Sequence, residues 1–161
     1  MTSRGSTESP PPEPALDLVT KPLRLILVVD RDAAVRAFLK DSLMEHGYGV
    51  WAAPSATIAI SILRERRIDL IVGDASSLEP DGEKTLRKLR RSRRGIKILA
   101  MTGASPAILS TPILVGRRSR FPLMAPCLEA RLFLGAHAIL PKPVSADLLV
   151  KTVKTLLGDN A

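Results

Sequence analysis

Four residues with reactive side chains each stand at the end of a short apolar run. Leu25–Val29 leads into Asp30, Leu70–Gly73 into Asp74, Ile98–Met101 into Thr102, and Ala138–Pro141 into Lys142. Two carboxylates, one hydroxyl and one ammonium are together a set that can accept a phosphoryl group. A carboxylate attacking a phosphoryl donor approaches a dianion, so a hard cation is needed to offset the repulsion. Mg²⁺ favours carboxylate and carbonyl oxygens plus water. An ammonium on the far side completes the clamp as a point charge. The chemistry requires that side chains far apart in sequence meet in one place.

The elements between them supply that requirement. Apolar runs of four to six residues, separated by helix-like segments, read as buried strands of a parallel sheet. The pattern predicts strands at about 23–29, 48–53, 68–73, 96–101 and 138–140. It predicts helices at about 33–45, 56–66, 83–93, 127–134 and 146–157. Ser55 and Ser145 are suited to cap the second and last helices, and Gly47 to close the first. This alternation argues for a doubly wound α/β domain with helices on both faces. In such open sheets ligands bind outside the carboxyl ends of the strands, where all four reactive residues fall.

Composition sets the outer limits. The 161 residues amount to one ordinary domain plus a tail. Hydrophobic content is 45% but aromatics only 3%, so the core must be aliphatic. Residues 1–22 are rich in Pro and Ser and read as a disordered tail, with the domain spanning 23–158. No apolar run approaches the roughly 18 residues needed to span a bilayer, and a lone Cys127 fits a reducing compartment; a cytoplasmic protein is the expectation. Net charge is +8, and Lys84 to Lys97 holds eight Lys/Arg and no acids. That run reads first as a solvated basic face, because no aromatics interleave with it and no DNA-reading motif appears; nucleic acid is therefore not an expected partner. His46 and His137 lack metal-ligand spacing.

In order along the chain, Leu25-Ile-Leu-Val-Val-Asp30-Arg-Asp32-Ala-Ala-Val-Arg36, Asp69-Leu-Ile-Val-Gly-Asp74 with Pro80-Asp81-Gly82, Met101-Thr102-Gly103, Leu134-Gly135-Ala136 and Pro141-Lys142-Pro143 resemble the receiver domain of bacterial two-component response regulators. The resemblance covers about residues 23–158. It implies a flavodoxin-like, five-stranded parallel sheet in the order 2-1-3-4-5. By the same resemblance Asp74 is the phosphoacceptor, Thr102 the switch hydroxyl and Lys142 the lysine that pairs with a phosphoryl oxygen. Asp30 helps to hold Mg²⁺, and Ser76 offers its backbone carbonyl to the metal. Asp32 either caps the first helix or joins the metal ligands. The Lys142–Pro143 peptide is expected in the cis form.

The chain departs from the family pattern in four places. Arg31 stands where a second acid is usual, and it either swings to solvent or pairs with Asp74 or Asp30; both outcomes weaken Mg²⁺ binding. Ile139 replaces a common aromatic that couples the switch hydroxyl to the outer surface. Leu78 replaces a common proline. Thr102 and Gly135 are 33 residues apart, about twice the usual span, with an irregular extended loop expected at about 103–126. In that loop Ile108-Leu109 and Ile113-Leu114-Val115 are candidates to dock on the domain or on a partner.

The expected function is a stand-alone phosphoacceptor receiver domain in phosphorelay signalling, not a turnover enzyme, though slow self-hydrolysis of the phosphoryl group is expected. Its expected partners are a histidine kinase or phosphotransfer protein and a downstream protein target, with a homodimer through the last two helices as an option. The alternative is a pseudo-receiver that binds partners without phosphorylation, supported by Arg31 and Ile139.

Overall fold

A computed structural model describes residues 22–74, 77, 95–103, 113–114 and 135–159. Residues 1–21 of the expected tail, Ser76, Leu78, Cys127, Ile108-Leu109, the helices at 83–93 and 127–134 and most of the basic run lie outside the described residues.

The strands are β1 (Leu25–Val29), β2 (Gly49–Ala53), β3 (Leu70–Asp74), β4 (Lys97–Thr102), β5 (Ile113–Leu114) and β6 (Ala138–Pro141). The helices are α1 (Ala33–Met44), α2 (Ala56–Glu65) and α3 (Ala146–Leu157). The sheet order is β2-β1-β3-β4-β6-β5. Five strands run parallel, in the order the flavodoxin-like pattern requires. The sixth is a correction to the irregular loop expected from sequence. Ile113 and Leu114 pair antiparallel with Ile139 and Ala138, so this apolar pair of the long loop docks on the domain itself.

Central strands buried on both faces need apolar residues at every position, which is why β1, β3 and β4 lack the alternation of a half-exposed strand. Odd and even positions feed two separate cores. Leu27, Val29, Ile71, Ile98, Ala100 and Ile139 pack with Ala59 and Leu63 of α2. Ile26, Val28, Leu70, Val72, Leu99 and Met101 pack with Leu39 and Leu43 of α1 and with Leu149, Val150 and Val153 of α3. Each fully buried Leu or Ile contributes about 1.5–3 kcal/mol of transfer free energy, so the two cores fix the ladder register tightly.

The local signals are where the sequence put them. Asp32 caps α1, its carboxylate accepting from Ala34 N and Val35 N. Ser55 caps α2 and Ser145 caps α3. Gly47 takes a positive φ of 83° just beyond α1 and donates to Met44 O, a conformation that costs glycine nothing. Expected boundaries differ from the observed ones by a residue or two, and those of α3 coincide. Among the described residues, no helix is long and apolar enough to cross a membrane.

Candidate functional site

Ladder register brings the reactive residues together. Val29 pairs with Gly73, so Asp30 and Asp74 are the next residues along two neighbouring strands. Asp74 pairs with Met101, one before Thr102, and Thr102 pairs with Pro141, one before Lys142. All four therefore lie at the carboxyl rim of β1, β3, β4 and β6.

The carboxylates are buried there, Asp30 to 2% exposure and Asp74 to 8%. Two buried carboxylates side by side are unfavourable without a cation. Lys142 supplies it: its Nζ donates to Asp30 Oδ2 at 2.5 Å and lies 3.2 Å from Asp74 Oδ1. Burial alone would lower the Lys142 pKa. The hydrogen bond to Asp30 and the charges of both carboxylates outweigh it and hold the ammonium above its usual value. The Lys142–Pro143 peptide is cis, and Lys142 N donates to Thr102 O at 2.8 Å.

The loop after β1 is held by its own chain. Asp30 Oδ1 accepts from Asp32 N at 2.9 Å. The Arg36 guanidinium donates through Nη1 to the carbonyls of Asp30 and Arg31, at 2.7 and 2.8 Å. Arg31 is exposed, and its backbone N–H donates to Ser77 Oγ at 3.2 Å. Asp32 Oδ1 is occupied by the α1 cap, accepting at 2.8 and 3.2 Å. Asp74 Oδ2 accepts from both the backbone N–H and the hydroxyl of Ser77. Thr102 Oγ1 is buried and has no hydrogen-bond partner among the described residues. A buried hydroxyl left without a partner is costly, and this one lies at the same rim as Asp30, Asp74 and Lys142.

Ile139, on β6, is fully buried and pairs with Ala100 on one side and Ile113 on the other. The histidines serve the backbone: His46 Nδ1 contacts Ser42 O at 2.8 Å, and His137 Nδ1 accepts from Ile98 N at 3.1 Å. No group of three or more His, Cys, Asp or Glu arranged to hold a metal occurs among the described residues.

Sequence reasoning missed Ser77 and the part played by Arg36. A serine three residues past an aspartate carries no signal by itself. Arg36 lies one helical turn after Asp32, and that spacing could have suggested a side chain folding back over the preceding loop.

The fold has known counterparts. The family model described as the response regulator receiver domain matches residues 26–112, more than half of the chain. The response regulator MprA of Mycobacterium sp. (strain KMS) is 32% identical over 132 residues, which is 82% of this chain and 50% of that protein. MprA of Mycolicibacterium vanbaalenii is also 32% identical over 132 residues, 82% of this chain and 49% of that protein. The chain thus spans about half the length of the curated relatives it matches. Among solved structures, a CheY-like receiver domain protein from Methanospirillum hungatei JF-1 is similar with a TM-score of 0.64 at 25% identity, covering 85% of this chain and 95% of that one. A signal receiver domain from Pseudomonas fluorescens Pf-5 shares the fold with a TM-score of 0.65 at 20% identity, covering 85% of this chain and 96% of that one. The chain belongs to the response regulator receiver domain family.

Proposed function

We propose that this receiver domain accepts a phosphoryl group on Asp74 and passes the resulting change to a protein partner. The observation that carries the reading is the Lys142 ammonium shared between Asp30 and Asp74, with the Thr102 hydroxyl buried at the same rim and without a hydrogen-bond partner among the described residues. An oxygen of Asp74 attacks phosphorus, and the phosphorus–nitrogen bond of a phosphohistidine donor breaks with its electron pair on nitrogen. The charged Lys142 ammonium would pair with an incoming phosphoryl oxygen. Thr102 has a proton to donate to another.

The donor chemistry at this rim fits Mg²⁺. Asp30 and Asp74 would hold it, with the Ser76 carbonyl as a further oxygen. Bound there, the ion supplies neutralisation of charge on the phosphoryl group in flight. Asp32 is committed to its cap, and Arg31 brings a cation where a third carboxylate would add affinity, so binding is weaker than at a site with an adjacent acidic pair. Histidine kinases or phosphotransfer proteins are the donors this chemistry calls for.

The test is phosphate uptake by the full chain from a small phosphorus–nitrogen donor with Mg²⁺, read by intact mass. Wild type gains one phosphate and Asp74→Asn gains none. Equal uptake by both, or none by wild type from the small donor and from a cognate kinase, refutes phosphorylation at Asp74 and leaves a phosphorylation-independent interaction module.

A further inference from the structure

Lys142 is only one of the groups that hold Asp74. Its Oδ2 accepts two hydrogen bonds from a single residue, at 3.1 Å from the Ser77 backbone N–H and at 3.0 Å from the Ser77 hydroxyl. The hydroxyl oxygen in turn accepts from Arg31 N at 3.2 Å. A serine hydroxyl has one proton and two lone pairs. With Arg31 donating into a lone pair, the Oγ proton is directed to the carboxylate. Ser77 is 4% exposed, so this chain of donors is shielded from competing water and each link polarises the next.

We propose that Ser77 is a positioning residue that holds Asp74 in a resting orientation and restrains both cation binding and phosphoryl uptake. The inference rests on the reading of Asp74 as the phosphoacceptor. To attack phosphorus, or to bind a hard cation, a carboxylate oxygen must present a lone pair. Oδ1 faces the Lys142 ammonium and Oδ2 faces Ser77. Giving up a neutral hydroxyl costs less than giving up a charged partner, so Oδ2 is the oxygen that is released. Its new bond to phosphorus forms as the donor's phosphorus–nitrogen bond breaks, and the departing nitrogen takes a proton from solvent. Release of the Oγ–H donor frees the Oδ2 lone pair that forms this bond. The same hydroxyl ties the acceptor to the Arg31 backbone, so the site's most atypical segment sets how firmly the acceptor is held.

The experiment compares wild type, Ser77→Ala, Ser77→Cys and Ser77→Thr in the full chain. Two readouts are taken: phosphate uptake from phosphoramidate by intact mass, and Mg²⁺ titration without any donor, followed by the amide resonances of Asp30, Asp74 and Thr102. Loss of one hydrogen bond to a charged group corresponds to roughly a tenfold change. Ser77→Ala therefore takes up phosphate and binds Mg²⁺ roughly tenfold faster and tighter. Ser77→Cys, a weak donor, moves the same way by less and serves if the alanine variant does not fold. Ser77→Thr keeps the hydroxyl and behaves as wild type. Unchanged or slower uptake with unchanged or weaker Mg²⁺ binding in both donor-poor variants overturns the proposal. Failure of wild type to take up phosphate at Asp74 instead overturns the phosphoacceptor reading, which separates the two.

Discussion

Two aspartates bracket β3 and do opposite kinds of work. Asp69, just before the strand, accepts from Leu25 N at 2.9 Å and from Arg24 Nη1 at 3.3 Å. Its backbone donates to Leu25 O and accepts from Lys97 N, so it stitches together the starts of β1, β3 and β4. Asp74, at the other end, holds other side chains instead: the ammonium of Lys142 and the hydroxyl of Ser77, with the backbone N–H of Ser77 added. One carboxylate finishes the main-chain ladder. The other is kept among groups that can exchange partners. Residue type alone does not separate these two acids; strand polarity does, because in such sheets the carboxyl rim is where side chains from several loops gather.

The contrast can be broken most severely at Lys142. Lys142→Met is expected to slow phosphate uptake by roughly a hundredfold, the scale of removing one positioned donor from a charged transfer site, while the Asp69 end stays intact. Mass-based uptake kinetics measure it. Uptake at the wild-type rate would place Lys142 with the structural residues.

Asp69→Ala sharpens the comparison from the other side. It leaves Leu25 N without its acceptor and Arg24 without its partner, at an expected cost of about 1–3 kcal/mol in chemical denaturation. Phosphate uptake per folded molecule is expected to stay at the wild-type rate. A large loss of uptake would mean the two rims are coupled.

The smallest effect belongs to Tyr48, also at the amino rim. It donates to Asp159 Oδ2 at 3.3 Å. Burial, together with the Asp159 charge, pushes its pKa up to about 12. The raised value favours the protonated phenol in the folded state. Its contribution to stability is therefore present below pH about 10, where an unfolded tyrosine titrates, and is lost as pH rises toward about 12. Tyr48→Phe is expected to flatten that alkaline loss, by roughly 1–2 kcal/mol across the window, in denaturation series at fixed pH. An unchanged slope would reassign the loss to other groups.

The strands, the described helices and the four rim residues were legible because each depends on local pattern: apolar runs, caps and residues that follow strands. Asp32 and Gly47 act through neighbours two to four positions away, which sequence displays directly. Ser77 and Asp69 were not legible, since their roles depend on which backbone N–H the ladder register carries to them from β1 and its following loop. β5 was missed for a related reason. Two apolar residues in a proline-containing loop reach strand geometry only by borrowing the edge of β6, and nothing local announces that.

That short antiparallel pairing has a consequence for how the molecule meets its neighbours. A terminal strand of a parallel sheet offers a row of open main-chain groups that invites an extra strand from another polypeptide. Ile113 and Leu114 occupy the places opposite Ile139 and Ala138, so intermolecular sheet growth is blocked at those positions by the chain's own insertion.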